Sequence, residues 1–209
     1  MTVFMKDIPN AGKARAGAQR AAKAQKRLSR ADWIEAAANV LASGGVDRVR
    51  VESLAVTLKV SKGSFYWHFK DRNDLLQSVI EDWQVKSTFA VQERLAETES
   101  APLNRLYMFM ELPLHSRAAL KAADLEMAIQ SWARQSKEAA DAVSIVDQAR
   151  LNNLTELFCE AGLPRDEALF RAHQAYAFLR YVAYRRDMDA EAKKQLVSDF
   201  HRRLTHDIA

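Results

Sequence analysis

One cysteine, four prolines and six glycines are few for a chain of 209 residues. A lone Cys159 excludes an internal disulfide framework and suits a reducing, cytoplasmic setting. Scarce turn-formers beside abundant Ala, Leu, Glu, Lys and Arg predict an all-α fold. The chain has no run of 18 apolar residues, so no membrane span is expected. The N-terminus lacks the apolar core of a secretory signal. There is no P-loop, dinucleotide fingerprint or nucleophile elbow, and no His or Cys/His pattern with metal spacing. No catalytic residue, metal ligand or cofactor is therefore assigned, and an enzyme is not expected.

What is present is an uneven distribution of charge. The net charge is +4. Residues 1–72 carry 14 Lys/Arg against 6 Asp/Glu, and the remainder carries 17 against 21. A basic front and a mildly acidic back predict that the front alone meets a polyanion. Residues 1–27 hold Asp7 as their only acid. They read as a basic flexible arm that follows a nucleic-acid backbone or minor groove, though a disordered or transit-peptide-like tail has the same composition.

Order is predicted to begin at "LSRADW", where Ser29 is an N-cap and Asp32 completes a capping box. Leu28 and Trp33 stand at the two positions of a hydrophobic staple, and "SGG" at 43–45 ends the helix. Short helices follow over Val51–Leu58 and from Ser61 or Lys62 to about His68. A long helix then starts near Asp71 to Asn73, with Leu76, Ile80 and Trp83 on its inner stripe. Further helices are predicted from Pro102 to Pro113, Asp124 to Gln135, Ser136 to Ala161, Pro164 to about Arg186, and Asp189 to Leu204. These bounds divide the chain into the arm, a head over 28–72 and a helical body over 73–209.

Two short helices joined by a tight turn, after a longer one, are the plan of a helix-turn-helix. Lys62, Gly63 and Ser64 stand at the leading end of the second short helix. There a cation, a close backbone approach and a hydroxyl suit base edges. In "FYWHF", Phe65 and Phe69 are four apart on one face and suit a core. Tyr66, Trp67 and His68 point elsewhere and suit a sugar-phosphate backbone, as do Lys70 and Arg72.

"VSKGSFYWHFKDRNDLL", preceded by "VRVESLAVTLKV", resembles the DNA-binding signature of the TetR family of transcriptional regulators. The resemblance spans about Ser29 to Leu76. It implies base contacts from Lys62, Gly63 and Ser64, and backbone contacts from Tyr66, Trp67, His68 and Arg72. Arg50, Val51 and Glu52 correspond to the N-terminus of the first short helix. Two residues depart from the pattern. Arg50 replaces the usual Ser or Thr cap, and Lys59 stands where the turn usually has Gly. A side chain in left-handed geometry there costs about 1 kcal/mol or more.

In the body, two adjacent apolar stripes run along the helix after Pro164, one of them holding Phe170, His173, Ala177 and Tyr181. So wide a face predicts burial on two sides. With Val146, Leu154 and Phe158 of the preceding helix, it is expected to form a four-helix homodimer interface. Trp83, Tyr107, Met110, Met127 and Trp132, with His173, are the candidate lining of a pocket for a small apolar or aromatic effector. Plain helix packing is the competing reading for each of them. The resemblance implies a dimeric repressor that reads a palindromic DNA operator and is released by the effector. The alternative is a helical interaction module whose basic tail binds nucleic acid or membrane non-specifically. Specific, salt-dependent binding to one short palindrome separates the two.

Overall fold

A computed structural model describes residues 28–96, 100–114 and 117–208, and regular structure among them is entirely helical. The N-terminal arm lies outside the described residues. Helix α1 covers Arg30–Gly44, and a 3-10 turn over Val46–Arg48 leads to α2, Val51–Thr57. Helix α3 is Lys62–Tyr66 and α4 is Arg72–Ala96. The body continues with α5 (Pro102–Glu111), a second 3-10 turn, α6 (Arg117–Ala133), α7 (Lys137–Glu160), α8 (Arg165–Tyr184) and α9 (Ala190–Leu204). No helix among the described residues is long and apolar enough to cross a membrane.

Local chemistry sets most of these bounds. At α1 the Ser29 hydroxyl accepts from the Asp32 amide while the Asp32 carboxylate accepts from the Ser29 amide, a complete capping box. Ser136 and Asp189 cap α7 and α9 with the side-chain half of that arrangement alone, accepting from the Ala139 and Ala192 amides. Helix α6 begins two turns before Asp124, the start expected from sequence. "RAALKAA" at 117–123 consists of strong helix formers, and their propensity extends the helix past the apparent cap. Helix α3 is shorter than expected and closes at Tyr66, although the His68 and Phe69 amides still donate to the Phe65 carbonyl.

Two apolar cores hold the chain together. The first is built on Trp33, Leu41, Leu54, Phe65 and Phe69 of the head and continues without a break into Ile80 and Trp83 of α4, Ile129 of α6 and Val146 of α7. The second joins Leu106 and Met110 of α5 to Leu154 and Phe158 of α7, Ala172 and Val182 of α8, and Val197 of α9. Helix α7 thus contributes its first half to one core and its second half to the other.

This burial corrects the expected dimer surface. Val146, Leu154 and Phe158 are fully enclosed within their own protomer and cannot meet a second chain. Their stripe is the side of α7 that packs on the protomer. Phe170, His173, Ala177 and Tyr181 on α8 are exposed.

Candidate nucleic-acid interface and body cavity

The head is organised around Phe65. Its ring meets Trp33 edge-on at 5.3 Å and stacks on Phe69 at 5.3 Å between centroids. Both phenylalanines are buried. Arg30 lies over the far ring, 4.9 Å from the Phe69 centroid, and its guanidinium also donates to the Ser78 hydroxyl of α4. The aromatic run therefore divides by helical position. The outward members, Tyr66 at 63% and Trp67 at 86% exposure, stand in water. His68 is half-buried between them and the core.

Lys62 and Gly63 are exposed at the leading end of α3, and Ser64 is half-buried beside them. A Cβ added to Gly63 would meet only the Ser61 hydroxyl, at 3.6 Å, so the surface there is open to a close approach. The Lys62 ammonium lies 2.5 Å from Glu52 on α2, and this contact holds the Glu52 carboxyl below its ordinary range. Both side chains are largely in solvent, where such a pair is worth little, so Lys62 can be released to another acceptor. Arg50 occupies the N-cap position of α2 with no side-chain cap; its Nε points back to the Asp47 carbonyl at 3.4 Å. Val51 beside it is half-buried, and Lys70 is exposed beyond the aromatic run.

Arg72 is a correction. It was expected on a phosphate, but its Nε donates to the Val49 carbonyl at 2.6 Å and its Nη2 to the Val46 carbonyl at 2.5 Å. The Val46 carbonyl also accepts the Val49 amide at 3.2 Å across the 3-10 turn, and the Val49 carbonyl lies between that turn and α2. Arg72 is spent on joining α4 to that turn.

The turn between α2 and α3 behaves as its sequence suggests. Lys59 has φ 57°, the one non-glycine residue with positive φ among the described residues. The Val60 amide donates to the Ala55 carbonyl and the Lys59 amide to that of Val56, the two bonds of a Schellman stop.

The candidate effector residues do not gather in one site, although Met127 and Trp132 share a groove beside the end of α1. Trp83 and Met110 lie buried in different cores, Trp132 packs against the first core, and Met127 and His173 are exposed. Tyr107 donates to Glu111 and sets its ring against His201. The body's apolar cavity, about 210 Å³, lies elsewhere, between α4, α5, α6, α7 and α8. Ala119, Ala122, Ala123 and Ala183 leave the space, and Phe109, Leu112 and Leu179 supply its larger apolar walls.

A polar chain of side chains lines one side of this cavity. Arg150 of α7 donates through both Nη atoms to the two oxygens of Glu126 on α6, at 2.7 and 2.9 Å. Burial disfavours the Arg150 cation, but the Glu126 carboxylate more than offsets it, and the group titrates above the ordinary guanidinium range. Tyr176 of α8 donates to Asp147 at 2.6 Å and accepts from Arg150 and Arg180. Burial and the Asp147 contact, opposed by Arg150, push the Tyr176 hydroxyl up to about 12, so it remains a donor at neutral pH. The sequence did carry a signal for this cluster: Arg150 lies four residues from Val146 and from Leu154, in the middle of a buried stripe.

A buried aromatic centre, an exposed cationic leading end and a helical body define a helix-turn-helix protein with a cavity-bearing second region. The profile of "Bacterial regulatory proteins, tetR family" matches residues 34–79, the span just described. The regulator TtgR of Pseudomonas putida is 29% identical over 103 residues, 47% of this chain and 49% of that protein. The chain thus spans about half the length of the curated relatives it matches first. A transcriptional regulator from Rhodococcus sp. Rha1 superposes over 86% of this chain and 97% of its own, with TM-score 0.71 and 20% identity. FadR from Bacillus subtilis, solved with stearoyl-CoA, covers 87% of this chain and 100% of its own, with TM-score 0.63 and 19% identity. Residues 34–79 thus carry the DNA-binding motif of the tetR family of bacterial regulatory proteins, and the chain shares the fold of solved transcriptional regulators.

Proposed function

We propose that the protein is a dimeric, sequence-specific DNA-binding transcriptional regulator, a repressor released from a palindromic operator when a small molecule enters the body cavity. The observation that carries this reading is the division of the head. Phe65 and Phe69 are buried, while Lys62, Gly63, Tyr66 and Trp67 stand exposed around the leading end of α3. A solvent-facing Trp and Tyr are expensive to leave in water without a partner, and beside cations they suit a sugar-phosphate edge. The match of residues 34–79 to the tetR-family profile supports the same reading.

Dimerisation is supported by the exposed α8 stripe of Phe170, Ala177 and Tyr181, while Val146, Leu154 and Phe158 of α7 are buried within the protomer. Two heads on a two-fold axis would read half-sites roughly 34–36 Å apart. Control by a ligand is supported by the position of α6. Its first half lines the cavity, and its second half packs into the core of the head. A molecule that binds one arrangement of α6 better than another would shift the head with it.

The test is affinity for a selected palindrome against random duplex at one fixed salt concentration. A specific regulator should prefer its operator by roughly 10³-fold or more. Equal affinities would overturn the reading and favour non-specific binding by a basic interaction module. Lys62→Ala should relax base preference at the position it reads, by about 1–3 kcal/mol.

A further inference from the structure

The polar atoms facing the body cavity are unequally committed, and the imbalance defines what the cavity can hold. Glu126, the acid among its lining residues, has both oxygens occupied by Arg150. The Tyr176 hydroxyl is fully used, donating once and accepting from two arginines. The Tyr184 hydroxyl donates to Gln130 at 3.3 Å. Arg180 differs from these. Only its Nη1 is engaged, with Asp147 at 3.2 and 3.4 Å and with Tyr176 at 3.4 Å, all longer than the Arg150–Glu126 pair. Its Nε and Nη2 have no acceptor among the described residues. At the rim stands Lys86, whose side chain is 71% exposed and, among the described residues, pairs with Asp82 one turn away, a weak surface contact.

The unspent charge facing the cavity is therefore cationic. The hydroxyls of Ser87 and Tyr184 can each accept a hydrogen bond, but a cationic ligand would find no free carboxylate and would face Arg180 and Lys86. A planar group with two acceptor oxygens matches the Nε/Nη2 edge of a guanidinium. The size of the space fixes the rest of the molecule. A cavity of about 150 Å³ holds benzene, and the one here is about 210 Å³. That is room for one ring and a short substituent, with Phe109 as an aromatic wall.

Taking the cavity as the effector site, we propose that its ligand is a small aromatic monocarboxylate. The carboxylate would sit on the Nε/Nη2 edge of Arg180 with Lys86 at the rim, and the ring would lie among the alanines. The ligand also gives Arg180 a stronger partner than Asp147.

The experiment is calorimetric titration of the full chain, without DNA, with benzoate, benzamide and benzylamine as probes of nearly one shape. Benzoate should bind at least roughly tenfold more tightly than either of the others, since a charge-assisted two-point contact is lost in both. Arg180→Met should bring benzoate down to the level of benzamide. Ala122→Phe, which fills the cavity, should abolish binding of benzoate while Arg180 is kept. Benzamide or benzylamine matching benzoate, no benzoate binding at millimolar concentration, or the preference surviving in Arg180→Met would each overturn the assignment. If the Met variant does not fold, the wild-type probe series and the Ala122→Phe variant decide it. Operator discrimination is measured separately. Its absence with an intact benzoate preference would defeat the regulator reading alone, and its presence without that preference would defeat the ligand class alone.

Discussion

At the head, charged side chains stand in water around an apolar centre, whereas in the body a line of charges runs from α6 through α7 to α8 between apolar walls. The head binds its helices with Trp33, Phe65 and Phe69 and spends Arg30 and Arg72 on the fold, while Lys62 and Lys70 stand exposed. The body has Arg150 and Glu126 with side chains only 16% and 15% exposed, each satisfied by the other. The lesson is about where function can be sought. In the head a functional residue is one the fold does not need, while in the body the fold and the cavity share the same residues.

The contrast breaks most visibly under truncation. Phe65→Ala should lower stability by about 3–5 kcal/mol, as expected for a fully buried aromatic. Trp67→Ala, two residues on, should leave the thermal midpoint nearly unchanged and weaken binding to every duplex. Chemical denaturation and a salt-series titration measure the two effects. A large stability loss in the Trp67 variant would mean that the outward aromatics belong to the fold after all.

In the body the corresponding change is Glu126→Gln. It keeps the shape and removes the charge that satisfies Arg150, and should cost roughly 3 kcal/mol, the low end for breaking a buried pair. Denaturant midpoints would measure it. A loss under about 1 kcal/mol would show that water enters the cavity freely enough to solvate Arg150.

How much of this was legible follows the same division. The head's elements, its cap and its buried and exposed aromatics could be read because each depends on neighbours within a turn or two in sequence: Ser29 with Asp32, Phe65 with Phe69. The body's helices were legible for the same reason. Its surfaces were not. The stripe of Val146, Leu154 and Phe158 has helical periodicity, but periodicity does not say whether the apolar side faces the protomer or a second copy. The cavity was missed because it is made by small residues, Ala119, Ala122, Ala123 and Ala183, whose significance lies in the volume they leave between helices. The large apolar residues first chosen, such as Trp83 and Met110, fill space instead.

Arg72 tests the line between a residue the fold needs and one it leaves over. Arg72→Met would remove the side-chain donor of the Val49 carbonyl and leave the Val46 carbonyl with the Val49 amide alone, a loss of about 1–3 kcal/mol if the Val49 carbonyl stays dry. If Arg72 is spent on the turn, stability should fall while the salt dependence of DNA binding by the folded fraction keeps its slope. A slope reduced by about one with unchanged stability would return Arg72 to the phosphate backbone.

The smallest effect is the most discriminating, because it compares one motif in both regions. Helix α7 ends as α2 does: the Leu163 amide donates to the Phe158 carbonyl and the Gly162 amide to that of Cys159. The left-handed position is Gly162 with φ 98° in the body and Lys59 with φ 57° in the head. Glycine adopts that geometry freely, whereas lysine is strained by about 1 kcal/mol. Lys59→Gly should therefore stabilise the free protein slightly, by up to about 1 kcal/mol less the entropy that glycine adds to the unfolded chain. Gly162→Ala should destabilise it by about the same strain, although nothing lies within 4 Å of an added Cβ to clash. If the strained lysine is retained for an acceptor on DNA, Lys59→Gly should also weaken binding to operator and random duplex alike, while Gly162→Ala should leave both untouched. A Lys59→Gly variant that gained stability and lost no affinity would show that the strain serves no DNA contact.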